Sequence, residues 1–120
     1  LKILRLVGNP LVNIFSYAFS GLNMLRFLNL KDLKLQNIQE YALRGLKKLN
    51  YLDISNNVNL HTTYATFSGL KHLMSLNVTG NRLLALPKMI LKDLKNLKFL
   101  YSDYFQLCCQ GRFEICVPVD

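Results

Sequence analysis

Tryptophan is absent from this 120-residue chain, proline occurs three times, and all three cysteines fall in the last 13 positions. So late a cluster excludes a disulfide-dense mini-domain, whose bridges would run through the whole chain. Acids are scarce as well: seven Asp and Glu face fifteen Lys and Arg, a formal net charge of +8. No run approaches the roughly 18 uninterrupted apolar residues that a spanning helix requires, and the start carries neither Met nor a secretory apolar segment. Hydrophobic residues make up 51% and charged ones 18%, which is the balance of neither a disordered tail nor a membrane bundle. What the chain has in excess is leucine, 26 residues of 120. An internal repeat is therefore the first organisation to test.

Stepping by 24 from Leu1 gives Leu25, Leu49, Leu73 and Leu97 without a miss. Offset three gives Leu4, Leu28, Leu52, Leu76 and Leu100, and offset five gives Leu6, Leu30, Ile54 and Val78 before failing at Ser102. Offset eight reads Asn9, Leu33, Asn57, Asn81 and Phe105. Offset 18 reads Phe19, Leu43, Phe67 and Leu91, and offset 21 reads Leu22, Leu46, Leu70 and Leu94. The pattern LxxLxLxxN, followed by returns such as Ala18-Phe19-Ser20-Gly21-Leu22 and Thr66-Phe67-Ser68-Gly69-Leu70, resembles the leucine-rich repeat of the 24-residue extracellular subclass. Leu86-Pro87 fits the same subclass.

The resemblance implies an α/β-type solenoid: a leucine-rich-repeat horseshoe with a parallel β-sheet on its concave face. Residues 1–107 would hold four full repeats plus a fifth strand, and 108–120 would begin a cysteine-containing hinge or C-terminal cap. Because strand side chains alternate, offsets three and five face the core while two, four and six face outward. Five strands with four gaps of about 4.8 Å would span roughly 19 Å. Asn at offset eight would turn the chain out of its strand by bonding backbone groups left unpaired there. Leu33 and Phe105 lack that amide, so irregular turns are expected at both. Repeat three carries one extra residue, with Leu60 rather than Asn59 in the role of Leu11, Leu35 and Leu83. The first repeat has no polar cap, and solenoids need capped ends, so a longer horseshoe is expected.

Column two of the outward face reads Ile3, Phe27, Tyr51, Ser75 and Phe99, and column four reads Arg5, Asn29, Asp53, Asn77 and Tyr101. A row of exposed aromatics is a binding surface, and Phe27, Tyr51, Asp53, Phe99 and Tyr101 are the candidate ligand contacts. The competing reading is that aromatics are good strand formers that stack across neighbouring strands. The strand windows carry a net charge of only +2, and the remaining +6 lies on return segments and tail, including Arg44, Lys47, Lys48, Lys71, Lys88, Lys92 and Lys95. A charged, solvated convex side is the plain expectation, and no nucleic-acid partner is expected. Asn77-Val78-Thr79 is a candidate N-glycosylation sequon on the concave face.

Cys108, Cys109 and Cys116 do not have zinc-ligand spacing, and His61 and His72 lie in earlier repeats as ordinary surface residues. Neither a metal, a cofactor nor an enzymatic activity is expected. Disulfides are the natural reading and imply an oxidising, extracellular setting. Three is odd, so at least one partner would lie outside this chain. The run Asp103-Tyr104-Phe105-Gln106-Leu107-Cys108-Cys109, followed by Ile115-Cys116-Val117-Pro118, resembles the hinge after the repeats of leucine-rich-repeat G-protein-coupled receptors. It is most similar to the relaxin-receptor-like branch, including invertebrate members with low-density-lipoprotein-receptor modules.

That resemblance implies a plasma-membrane receptor whose extracellular repeats bind a peptide or protein and whose transmembrane domain engages a heterotrimeric G protein. The three cysteines would pin the horseshoe to the hinge. Relaxin-type receptors use paired acids with apolar neighbours on the concave strands. This face offers Tyr51 with Asp53 but no clear second pair, so those ligand residues do not carry over. The alternative is a secreted or single-span leucine-rich protein of adhesion, matrix or innate immune recognition. A cytosolic repeat scaffold, with all three thiols free, is the third reading.

Overall fold

A computed structural model describes residues 1–8, 10–63, 65–81 and 94–103 and the backbone of 115–118. Eight strands follow one another: β1 (Ile3–Arg5), β2 (Asn13–Ile14), β3 (Phe27–Asn29), β4 (Asn37–Ile38), β5 (Tyr51–Asp53), β6 (Ser75–Asn77), β7 (Phe99–Ser102) and β8 (Ile115–Pro118). Six of them form one parallel sheet in the order β1-β3-β5-β6-β7-β8. Its register is the sequence period itself, with Leu4, Leu28, Leu52, Leu76 and Leu100 aligned across five strands. Each strand is only three or four residues long, too short to be stable alone, so backbone pairing between repeats holds it. One carbonyl per repeat serves two donors: Asn50 O accepts from the N–H groups of Met74 and Ser75, as Arg26 O does from Asn50 and Tyr51.

The leucine ladder is the core. Leu25, Leu28 and Leu30 of the second repeat, Leu49, Leu52 and Ile54 of the third, and Leu73, Leu76 and Val78 of the fourth are all buried. Phe19, Leu43 and Phe67 close it from the return side, with Leu46, Leu70 and Leu94 beneath the next strand. A fully buried Leu or Phe contributes roughly 1.5–3 kcal/mol. The first repeat gains less, because Leu4, Leu6, Leu11 and Leu22 are only partly covered and Leu1 is 71% exposed. Among the described residues no helix is formed. The returns are successive tight turns in which an N–H donates three residues back, as from Ala42 to Gln39, Arg44 to Tyr41, Leu46 to Leu43 and Leu49 to Leu46.

Two features go beyond the sequence reading. The identical Asn-Ile pairs at 13–14 and 37–38 form a second small parallel sheet, β2 with β4, and Asn37 continues it as an isolated bridge to His61. Strand β8 adds a sixth strand to the main sheet, with Ile115 opposite Phe99 and Cys116 opposite Leu100. Its step from β7 is 16 residues instead of 24, so the repeat period could not reveal it. The sheet is accordingly one strand wider than the five expected.

The asparagine at offset eight bonds the backbone of its own turn as expected, and it also serves the preceding repeat. Asn57 is fully buried, and its amide donates to Ile54 O and Ser55 O of its own turn. It also donates to Leu30 O, and its Oδ1 accepts from the N–H groups of Leu33 (3.0 Å) and Leu35 (3.1 Å), all in the preceding repeat. Asn81 likewise reaches back, donating to Ile54 O and accepting from Asn57 N–H. Replacing Asn by Leu33 therefore deprives the turn before it. There the Leu33 carbonyl takes over, accepting from Leu11 N–H at 2.9 Å, where Leu35 N–H uses the Asn57 amide. The irregularity expected at Leu33 is present as Lys34 in the left-handed region, φ 58°. Leu60 is buried as expected, and the register is recovered at His61. Phe105, Leu83 and Leu86-Pro87 lie outside the described residues.

Candidate functional site

The sheet register sets the outward face. It places Ile3, Phe27, Tyr51, Ser75 and Phe99 side by side in one row, and Arg5, Asn29, Asp53, Asn77 and Tyr101 in the next. Phe27, Tyr51, Phe99 and Tyr101 are each half-buried, so one face of the row remains open to solvent. The stacking reading holds for one pair of the row. Phe27 and Tyr51 stack with centroids 4.5 Å apart and planes 4° from parallel, and the Arg5 guanidinium lies 5.3 Å over the Phe27 ring. Ser75 puts no ring between Tyr51 and Phe99. Two strand spacings of about 4.8 Å therefore separate the flanking aromatics and leave a notch about one side chain wide.

Column four carries a turn device that exposure by side-chain alternation does not reveal. Asn29 Oδ1 accepts from Lys31 N–H, Asp53 Oδ1 from Ser55 N–H and Asn77 Oδ1 from Thr79 N–H, at 2.8–3.0 Å. Each is a side chain bonding the backbone two residues on, which ends the strand. The signal was in the sequence: Asn, Asp, Asn recur at a single offset. Asp53 is 7% exposed, so most of its carboxylate is committed to this turn. Its Oδ2 accepts from the Tyr51 hydroxyl at 3.5 Å, so Asp53 reaches the open face through Tyr51. Burial, and then the Asp53 charge, push the Tyr51 phenol above its ordinary value, and a hydrogen bond from Asn77 partly offsets this.

Asn77, the candidate glycosylation site, is half-buried opposite Asp53 in the register. Its Oδ1 also accepts from the Thr79 hydroxyl at 2.8 Å, which ties the two sequon side chains together. Of the candidate disulfide residues, Cys116 occupies a place in β8, while Cys108 and Cys109 lie outside the described residues. Among the described residues no cluster of His, Cys, Asp or Glu could hold a metal ion, and no helix is long and apolar enough to cross a membrane. Such a face offers apolar contact area, a cation and hydrogen-bonding edges.

The architecture of 24-residue turns stacked through one parallel sheet is a leucine-rich-repeat solenoid. A family model described as leucine rich repeat matches residues 1–58. Among solved structures the chain is similar to TLR13 in its complex with ssRNA13, at 27% identity and TM-score 0.80 over 86% of this chain and 15% of that one. Human 5T4, or Wnt-activated inhibitory factor 1, shares the fold at 23% identity and TM-score 0.69, over 85% of this chain and 42% of that one. Drosophila Toll, solved with Spatzle, does so at 22% identity and TM-score 0.68, over 84% and 17%. The chain thus spans between 15% and 42% of the length of these structures. No curated protein matches the sequence.

Proposed function

We propose that this chain is the ligand-binding repeat region of an extracellular receptor and takes a peptide or protein ligand on its concave sheet. The observation that carries the reading is the half-open aromatic row, Phe27 stacked on Tyr51 with Phe99 across the Ser75 notch. Aromatic side chains presented on a rigid sheet supply contact area with little conformational entropy left to lose. An apolar ligand side chain seats in the notch, while Arg5 and Tyr101 bind its polar neighbours. Similarity to Toll, whose structure holds the Spatzle protein, supports a protein ligand.

The receptor type rests on the chain's end. The Cys108-Cys109 pair and the Cys116-Val117-Pro118 segment resemble the hinge of leucine-rich-repeat G-protein-coupled receptors. On this reading a bound ligand acts through that hinge on a transmembrane domain and its heterotrimeric G protein, on the plasma membrane's outer side. The second reading is a secreted or single-span protein of adhesion, matrix or innate recognition. It is supported by the likeness in fold to Toll, whose complex with Spatzle is described as a hub of innate immunity. Transcript sequence past the Asp120 codon separates the two: seven apolar segments of about 20 residues support the first, and one segment or none refutes it. The concave site is tested by screening an array of secreted peptides and proteins against the immobilised protein. Binders whose affinity falls at least tenfold with Tyr51→Ala or Phe99→Ala support it, and binders indifferent to both substitutions overturn it.

A further inference from the structure

We infer that the loops entering the strands of repeats three to five form a binding groove for a sulfated polysaccharide, separate from the concave sheet. Lys47, Lys71 and Lys95 occupy one offset of successive repeats and are all exposed. With Arg44 and His72 they line an open groove of about 960 Å3, together with Ser68, Gly69 and Asn96. Among the described residues that line it there is no carboxylate. The plain expectation for these charges is a solvated convex side. The repeat aligns them, one lysine per strand spacing of about 4.8 Å.

Two contacts fix the groove's walls. The Asn96 amide donates to Lys71 O at 2.6 Å, tying the loop of one repeat to the next. At Gly69 a Cβ would stand 2.9 Å from Cα and Cγ of Arg44, so only the bare glycine lets Arg44 lie against the following repeat. Ser68 and Asn96 add polar groups to the same lining, suiting an anion with several acceptor oxygens.

The ligand class follows from what the groove offers. A ladder of cations at fixed spacing matches a linear polymer with charge at regular intervals better than it matches a folded acidic surface. Grooves for single-stranded nucleic acid pair cations with a run of aromatic platforms for the bases, and among its described lining residues this one has no Phe, Tyr or Trp and a single ring, the imidazole of His72. The Tyr41 ring is engaged by Arg44 at 5.2 Å and by Tyr17 at 6.4 Å. A polyanion without bases uses every group present and lacks none. Sulfated polysaccharide is that polymer in an extracellular setting.

The test measures binding of the protein to heparin, to N- and O-desulfated heparin, to a single-stranded RNA homopolymer and to polyglutamate, over a range of salt. Lys47→Gln/Lys71→Gln/Lys95→Gln should weaken heparin binding at least tenfold and reduce the slope of log Kd against log salt by about 2, as counterion release predicts for three lost contacts. Lys2→Gln/Lys31→Gln/Lys98→Gln removes the same charge from exposed positions elsewhere and should change Kd less than twofold. Desulfated heparin should not bind. Equal losses in the two triple variants, or no heparin binding, would overturn the inference. So would RNA or polyglutamate binding as tightly as heparin with the same dependence on the three lysines. Because the groove and the aromatic row share no residue, loss of one activity leaves the other measurable.

Discussion

Phe27 and Tyr51, 24 residues apart in sequence, stack ring on ring at 4.5 Å across adjacent parallel strands. Such a pair contributes about 0.5–1.5 kcal/mol beyond the area it buries. A double-mutant cycle with Phe27→Ala and Tyr51→Ala in urea denaturation should return a coupling energy in that range. Coupling below about 0.3 kcal/mol, the usual noise of additivity, would show that the rings merely lie side by side. The same variants weaken ligand binding by the reading above, so the stability measurement identifies how much of that loss is structural.

The Tyr51 hydroxyl gives this row a pH response. Its phenol is raised above the usual value near 10, first by burial and then by Asp53. The folded state therefore keeps the proton longer than the unfolded chain does. Its contribution is fully present below the unfolded pKa and is lost as pH rises through the folded one. Stability measured from pH 8 upward should fall more steeply above about pH 10 in the wild type than in Tyr51→Phe. Asp53→Asn removes a negative neighbour and should bring the tyrosinate titration of Tyr51 to lower pH. An unchanged midpoint would remove Asp53 as a cause.

Much of this fold is written in the period. The core is legible because burial follows side-chain alternation, and Leu28, Leu52, Leu76 and Leu100 are buried where the offset puts them. Less legible is anything that depends on the neighbouring repeat. The residue type of Asn57 announces a turn, but only the stacked backbone shows that it serves Leu33 and Leu35. Asp53 reads as an exposed acid by alternation, and its capture by Ser55 N–H makes it a strand terminator. The lysines of the groove share one offset of the period, and only the stacked loops show the groove that Arg44, Ser68 and Asn96 complete around them. Strand β8 was hidden because its 16-residue step breaks the period.

Positive φ recurs at offset seven, in Gly8, Asp32, Asn56 and Gly80. Gly80 has φ 73°, and a Cβ there would collide with the Asn56 side chain, whereas Gly8 at φ 79° faces open space. The left-handed conformation alone costs an alanine about 1–2 kcal/mol. Gly8→Ala should therefore lose about that much, and Gly80→Ala clearly more, in chemical denaturation. Equal losses would mean that the Asn56 side chain moves aside freely.

Asn57 concentrates more backbone bonding than any strand residue around it, so its removal should be the severest polar change in the described repeats. Asn57→Ala leaves buried donors at Leu33 and Leu35 and the carbonyl of Leu30 to find other partners, while Ile54 O keeps the Asn81 amide. Unsatisfied buried groups cost about 1–3 kcal/mol each, and partial repair through the turn should hold the total near 3–5 kcal/mol. Leu52→Ala, which opens a cavity in the same repeat, should lose about 2–5 kcal/mol, so stability alone does not tell the two mechanisms apart. Amide exchange does. In Asn57→Ala the Leu33 and Leu35 amides, one repeat away, should exchange faster than the amides of Leu28 and Leu52, because they have lost their acceptor. If protection fell evenly over the repeat instead, Asn57 would be acting as a packing residue and not as the ligand of the preceding turn.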